Sequence, residues 1–221
     1  MIDELGGRLV EHALLEGDFV LRSGKRSTWY LDKYRFETRP DLLRELGARL
    51  AEVVRDVEPD TTRLGGPALG AVALAASASM ASELPFIIVR SEIKEYGTAN
   101  RIEGPFEPGD LVCLLEDVVT SGGALAESVS ALREAGLVVR NAVCVVDREE
   151  GGTDALARMG VRLRSLYRAG DLLAGRPTAE QPVRSIAGTH PAVSSPQPQS
   201  THGSGGRTSQ TRMAEPKPPE C

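Results

Sequence analysis

Apolar residues recur along most of the chain in two alternating patterns, one typical of helices and one typical of buried strands. Helical spacing predicts helices at residues 2–15, 41–57, 71–82 and 123–135. Short apolar runs predict strands at residues 64–66, 86–90, 111–115 and 142–146, and a hairpin that joins 19–22 to 28–32. Apolar strands that alternate with helices indicate an α/β fold, in which helices flank both faces of a parallel sheet.

The last part of the chain lacks this periodicity. Residues 188–221 are rich in Pro, Ser, Gly and Gln and contain almost no large apolar side chain. Such a segment cannot bury enough surface to offset an ordering cost of ~1–2 kcal/mol per residue. We therefore expect one α/β domain at residues 1–187 and a disordered C-terminal tail at residues 188–221.

The charge and the hydrophobicity of the chain argue against nucleic acid and membranes as binding partners. The 221 residues include 26 Lys and Arg against 31 Asp and Glu, a net charge of -5 that argues against an electrostatic grip on nucleic acid. No apolar run approaches the ~20 residues that cross a bilayer, and the N-terminus does not resemble a signal peptide. We expect a cytoplasmic protein with neither a nucleic-acid nor a membrane partner. The three cysteines have no metal-ligand spacing.

The strongest chemical signal follows the strand at residues 111–115. The chain there reads Glu116, Asp117, Val118, Val119, Thr120, Ser121, Gly122, Gly123 and Ala124, and a helix begins. Adjacent carboxylates at a strand end are costly unless a ligand or a cation uses them. Hydroxyls and glycines at a helix N-terminus bind anions through backbone amides and the helix dipole. One loop thus suits a phosphorylated sugar, whereas Thr-Ser-Gly-Gly alone would indicate only a capped helix.

This nonapeptide resembles the phosphoribosyl pyrophosphate signature of the type I phosphoribosyltransferases. Four further segments resemble orotate phosphoribosyltransferases, at residues 19–33, 65–70, 90–104 and 147–150. The resemblance covers roughly residues 1–175 and excludes the tail. It implies transfer of a phosphoribosyl group from phosphoribosyl pyrophosphate to orotate, with an N-terminal hairpin hood over the orotate pocket. It also implies a homodimer with shared active sites, and Mg²⁺ bound mainly through substrate, without dedicated metal ligands.

The resemblance assigns roles to individual residues. Residues 90–104 correspond to the family's mobile loop. The resemblance implies that the donor, phosphoribosyl pyrophosphate, is bound by residues 116–124 and by four residues of this loop, namely Arg90, Ser91, Lys94 and Tyr96. Lys94, Glu116 and Asp117 are the implied catalytic residues. In the family this loop closes over the neighbouring subunit's active site.

Four positions are implied for orotate, namely Arg22, Tyr30, Thr120 and Arg148. A guanidinium such as that of Arg148 matches a carboxylate with two parallel hydrogen bonds, which discriminates orotate from an uncarboxylated base. Without the upstream motif, the same charged run at a strand end would indicate only a solvated surface.

Two departures from the family pattern leave alternatives open. The family usually has Lys directly after the arginine, where this chain has Ser91, and Gly70 stands where some relatives carry Lys. A missing cation beside a developing negative charge weakens catalysis. One alternative is therefore a catalytically weakened ligand-sensing protein on the same fold. The other is a salvage phosphoribosyltransferase for another base, against which Arg148 argues.

Overall fold

A computed structural model describes residues 2–20, 24, 26–91 and 101–175. Three candidate site residues, Arg22, Lys94 and Tyr96, lie outside the described residues, as do the domain boundary at residue 187 and the tail at residues 188–221. Those assignments stay predictions.

Helices and strands alternate along most of the described chain. The helices are α1 (Glu4–Ala13), α2 (Tyr34–Glu37), α3 (Pro40–Val57), α4 (Ala71–Ser82), α5 (Gly123–Glu134), α6 (Gly152–Arg158) and α7 (Ala169–Ala174). The strands are β1 (Leu14–Val20), β2 (Arg26–Leu31), β3 (Arg63–Pro67), β4 (Phe86–Val89), β5 (Ile102–Glu103), β6 (Val112–Val119), β7 (Asn141–Asp147) and β8 (Arg162–Arg168). Among the described helices, none is long and apolar enough to cross a membrane.

A central sheet organises these elements. Within the described residues it has six strands in the order β5-β4-β3-β6-β7-β8, and all neighbours are parallel except the short β5, which runs antiparallel to β4. A separate antiparallel hairpin pairs β1 with β2. The prediction of a parallel sheet flanked by helices, with an N-terminal hairpin, is confirmed.

The side chains of β6 show why both faces of the sheet are covered. Cys113 and Leu115 belong to an apolar cluster with α1, α3, α4 and α7, whereas Val112 and Leu114 pack with α5 and α6. All four are fully buried. Because successive side chains of a strand point to opposite faces, an uninterrupted apolar run is what a doubly covered strand requires.

The structure corrects the expected end of this strand. The apolar run predicts an end at Leu115, but β6 continues to Val119 because its backbone still pairs with β7, as in Glu116 with Cys144 and Val118 with Val146. The two carboxylates therefore lie within the strand. Hydrophobicity could not reveal this extension, since backbone pairing does not depend on apolar side chains.

The first helix is also shorter than its periodicity predicts. Helix α1 ends at Ala13 instead of residue 15, because Leu14 and Leu15 pair with Leu31 and Tyr30 in the hairpin. The hairpin strands consequently begin earlier than predicted, while Leu31 still reaches the buried core.

Candidate active site

A cavity of about 590 Å³ opens at the carboxyl ends of four parallel strands. It is lined by Ala68, Ser91, Glu116, Val118, Val119, Thr120, Ser121, Gly122, Gly123, Ala124, Leu125, Glu127 and Glu150. These residues follow or end β3, β4, β6 and β7. Ligands of open parallel sheets bind at this edge, and the volume is in the range of small-molecule sites.

The N-terminus of α5 forms one wall of this cavity. Gly122 is the N-cap residue in a left-handed conformation with φ of 79°, and no side chain caps the helix. The backbone N–H groups of the first turn have no partner inside a helix. Because Gly122 and Gly123 carry no side chain, these donors and the positive end of the helix dipole are open to an anion in the cavity.

The two adjacent carboxylates point to different sides of β6. Glu116 lines the cavity, whereas Asp117 is absent from its lining and binds Lys33, with 2.6 Å between Asp117 Oδ2 and Lys33 Nζ. Only 8% of Glu116 and 3% of Asp117 is exposed. The alternation of side chains along a strand separates them, so in this structure Glu116 alone of the pair reaches the cavity.

Asp117 lies at the centre of a cluster with more acidic than basic groups. Burial and the negative charge of Asp117 raise the pKa of Glu37 to about 8, and the same two causes raise the pKa of Glu116 to about 8. Burial by itself would lower the pKa of Lys33. The ion pair with Asp117 has the larger effect, so the pKa of Lys33 is raised. This cluster therefore favours the protonated forms of Glu37 and Glu116 more strongly than water does.

Arg148 lies just outside the cavity and is held by two groups. Its Cζ atom is 4.4 Å from the centroid of the Trp29 ring, and its Nε atom is 3.0 Å from Oε1 of Glu150, which does line the cavity. The Arg148 side chain is 8% exposed. The hairpin therefore reaches over the carboxyl end of β7.

The segment after β4 brings Ser91 to the cavity. The preceding Arg90 approaches Glu103, with 3.8 Å between Nη1 and Oε1, and its Nε atom is buried without a hydrogen bond. Tyr30 is 40% exposed, and its ring lies 5.5 Å from that of Phe19. The structure thus brings Ser91, Glu116 and residues 118–124 together, while Arg90, Asp117, Tyr30 and Arg148 do not line this cavity.

Sequence reasoning missed several residues of this region. Lys33, Glu37 and Trp29 received no role, although Lys33 and Trp29 lie inside the segment 19–33 that carries the resemblance. Lys33 and Asp117 are 84 positions apart, so no local pattern could pair them. Glu150 ends the segment 147–150 that carries the resemblance, two residues after Arg148, but it received no role of its own.

In sequence and in structure, the chain is similar to known orotate phosphoribosyltransferases. An orotate phosphoribosyltransferase of Methanocella arvoryzae is 47% identical over 161 residues, which are 73% of this chain and 90% of that protein. The crystal structure of orotate phosphoribosyltransferase from Aeropyrum pernix superposes with a TM-score of 0.67 at 34% identity, over 77% of this chain and 97% of that chain.

A third similar structure carries a ligand. Orotate phosphoribosyltransferase of Mycobacterium tuberculosis H37Rv, in complex with 5-phospho-α-D-ribosyl 1-diphosphate, superposes with a TM-score of 0.65 at 27% identity, over 76% of this chain and 96% of that chain. No family model matches the chain.

Proposed function

Because the chain belongs to the orotate phosphoribosyltransferase family, we propose that it transfers a 5-phosphoribosyl group from phosphoribosyl pyrophosphate to orotate. The products are orotidine 5'-monophosphate and pyrophosphate, a step of pyrimidine biosynthesis. One observation carries the assignment to this site: the uncapped N-terminus of α5 and the carboxylate of Glu116 line one cavity at the carboxyl ends of the strands.

The 5'-phosphate of the donor fits the N-terminus of α5. Backbone amides of residues 121–124 and the hydroxyls of Thr120 and Ser121 line that wall and supply hydrogen-bond donors. Glu116 lies at the same cavity and would bind the ribose hydroxyls. A carboxylate accepts hydrogen bonds from hydroxyls, so the sugar is oriented between an anion site and an acceptor.

Transfer leaves little covalent chemistry for the protein. Carbon-1 of the ribose gains positive charge as pyrophosphate departs. The orotate nitrogen attacks the opposite face and loses its proton, which the departing pyrophosphate or the solvent accepts. The protein contributes position and electrostatic stabilisation. Asp117 would act through its buried negative charge in the conformation described, and its role as a direct ligand of ribose stays a prediction.

The pyrophosphate end of the donor would meet Arg90, Ser91, Lys94 and Tyr96. Ser91 lines the cavity and offers a neutral hydroxyl. We also propose a cytoplasmic homodimer in which residues 90–104 of one subunit close over the other's site. Closure of such a loop expels water and strengthens contacts with the leaving group.

Mg²⁺ would accompany the donor. The described residues contain no cluster of three or more side chains that could hold a metal, so a cage built by this part of the protein does not fit. Binding through phosphate oxygens does fit, because Mg²⁺ usually takes one or two carboxylates plus substrate phosphates. The acidic side chains that line the cavity are Glu116, Glu127 and Glu150. When bound, the ion would neutralise charge on the pyrophosphate.

The base would bind on the Arg148 side of the cavity. The guanidinium would bind the carboxylate of orotate, with Thr120, Tyr30 and Arg22 around the pyrimidine. A charged hydrogen bond contributes ~1.5–3 kcal/mol, which is enough to separate orotate from uracil.

A steady-state assay with Mg²⁺, phosphoribosyl pyrophosphate and a panel of bases tests this function. We expect turnover with orotate and little with uracil, adenine or hypoxanthine. Preferred turnover of one of the other bases would show a salvage enzyme, and no turnover of any base by folded protein would contradict the proposal.

Ser91 favours one second candidate, a ligand-sensing protein with weakened catalysis. Its neutral hydroxyl lines the cavity where the family usually places a lysine. Tight binding of both substrates without turnover, together with recovery of turnover in Ser91→Lys, would favour this candidate. Ready turnover by the unmodified protein would exclude it.

A further inference from the structure

The guanidinium of Arg148 is fixed from two directions. Trp29 lies against it, 4.4 Å from ring centroid to Cζ, and Glu150 approaches its Nε atom at 3.0 Å. The backbone of Arg148 is also fixed, since its N–H donates to the carbonyl of Val119 at 2.9 Å. Glu150 compensates the charge of this enclosed guanidinium, but the buried Nε atom has no hydrogen bond, which is costly.

We propose that Trp29 is a positioning residue that holds Arg148 in the orientation required to bind the carboxylate of the substrate base. This inference rests on the proposed function, in which that base is orotate. Trp29 contacts the guanidinium and acts on the substrate through it.

The contacts of Arg148 with Trp29 and Glu150 leave its two terminal nitrogens available to bind a carboxylate. Arginine offers five N–H donors in a rigid plane, and two parallel ones match a carboxylate. Glu150 forms an ion pair at Nε that lacks the geometry of a hydrogen bond, and Trp29 contacts the guanidinium without consuming a donor. Within the described residues, Nη1 and Nη2 make no hydrogen bond. They are therefore available to bind a planar carboxylate side by side.

The hairpin is firm enough to hold this ring. Trp29 is partly buried against the apolar cluster that contains Cys113 and Leu115 of β6. Two residues later in the hairpin, Leu31 is only 6% exposed. The hydroxyl of Ser27 donates to the Trp29 carbonyl at 2.7 Å and accepts from the Trp29 N–H at 3.3 Å. The affinity for the base would then depend on β2 as well as on β7.

Three variants of the full-length protein test the inference by steady-state kinetics. We expect Trp29→Leu to raise the KM for orotate about tenfold, because an enclosed cation–π contact is lost, and Trp29→Phe to keep most of the affinity. The KM for phosphoribosyl pyrophosphate should stay within about twofold in both. Tyr34→Leu is the matched control, since it removes an exposed ring that lies near Lys33 instead of Arg148, and it should leave the KM for orotate unchanged.

A double-mutant cycle separates positioning from a merely structural role. If Trp29 acts through Arg148, Trp29→Leu should have no further effect on the KM for orotate once Arg148→Ala is present. Equal effects of Trp29→Leu in both backgrounds would overturn the inference, and so would equal losses of affinity for orotate and for the donor.

Binding can be read directly, because Trp29 is the sole tryptophan of the 221 residues. Orotate should change its emission in the protein with Arg148 and not in Arg148→Ala, after correction for absorption by the ligand. An active enzyme in which Arg148→Ala raises the KM but Trp29→Leu does not would refute this inference alone. Failure of the proposed function would instead appear as an unmodified protein that does not convert orotate.

Discussion

At the scale of single residues, Lys33 compensates the charge of the most buried carboxylate of the site. Asp117 is 3% exposed, and Lys33 is the cation of its ion pair. Glu37 and Glu116 add two further acidic groups to the same cluster. Removal of one partner of a buried pair is much more costly than loss of a surface pair, because it leaves an uncompensated charge.

We therefore predict that Lys33→Met lowers the free energy of unfolding by about 2 kcal/mol, a value below that of a fully buried pair because Lys33 is 32% exposed. Urea denaturation measures this change. Arg26→Met is the control, because it breaks the pair of Arg26 with Asp18, both largely exposed, and should change stability by at most ~0.5 kcal/mol. Similar losses in the two variants would contradict a special role for Lys33.

The acidic cluster also makes stability depend on pH. Burial and the charge of Asp117 raise the pKa of Glu37 from 4.5 to about 8, so the folded protein holds this proton more tightly than the unfolded chain. The stabilisation is complete below pH 4.5 and is lost as pH rises towards 8. We predict that the free energy of unfolding declines across this range and that Glu37→Gln makes the decline shallower.

Urea denaturation at several pH values between 5 and 8 measures that slope. Glu52→Gln, at an exposed position of α3, is the matched control and should keep the slope of the unmodified protein. An equally steep decline in Glu37→Gln would show that Glu37 is not the group responsible.

At the scale of elements, α3 and α4 approach closely because Gly47 has no side chain. A Cβ atom at residue 47 would overlap the side chain of Ser77, and the Ser77 carbonyl carbon would be only 2.7 Å away. The same contact is fixed by a hydrogen bond, in which the Ser77 hydroxyl donates to the carbonyl of Leu43 at 2.8 Å. The helices cannot separate easily, since Ser77 is bonded across the interface.

We predict that Gly47→Ala destabilises the protein by about 2 kcal/mol through overpacking. Gly7→Ala is the control within α1, where a new Cβ would meet nothing within 4 Å. Because alanine favours the helical conformation more than glycine does, Gly7→Ala should raise the free energy of unfolding by about 0.5–1 kcal/mol. Thermal or urea denaturation compares the two, and a stabilised Gly47→Ala would disprove the close approach.

Elements with a strong apolar pattern were predictable, and those without one were not. The bounds of α4 match their prediction, and α3 starts within one residue of it. Strand β8 was missed because four of its seven residues are charged or polar, in the sequence RLRSLYR, as suits a strand at the edge of a sheet. Helix α2 has only four residues, too few for helical periodicity to register.

At the scale of the whole molecule, the proposed homodimer has a kinetic signature. If residues 90–104 of one subunit serve the other's site, Lys94→Ala and Asp117→Asn should each be inactive alone. Mixed dimers would contain one intact site. We predict that subunit exchange between the two variants restores roughly a quarter of the unmodified activity.

The reciprocal mixture provides the control. A Lys94→Ala/Asp117→Asn double variant exchanged with unmodified protein should give inactive mixed dimers, because each site then lacks one of the two residues. Exchange should therefore lower the activity of an equimolar mixture from about one half to about one quarter of the unmodified value. An activity that stays at one half, with no gain between the single variants, would place the loop and the strand of one site in the same subunit.

The sequence by itself determined the parallel α/β architecture and the placement of a helix with a glycine-rich N-terminus after the central strand. Both depend on local periodicity and on contiguous residues, which are visible along the chain. Only the tertiary structure decided that Glu116 and Asp117 face different sides, that Lys33 neutralises Asp117, and that Trp29 stacks on Arg148. The physical reason is distance along the chain: 84 residues separate Lys33 from Asp117, and packing alone brings such groups together.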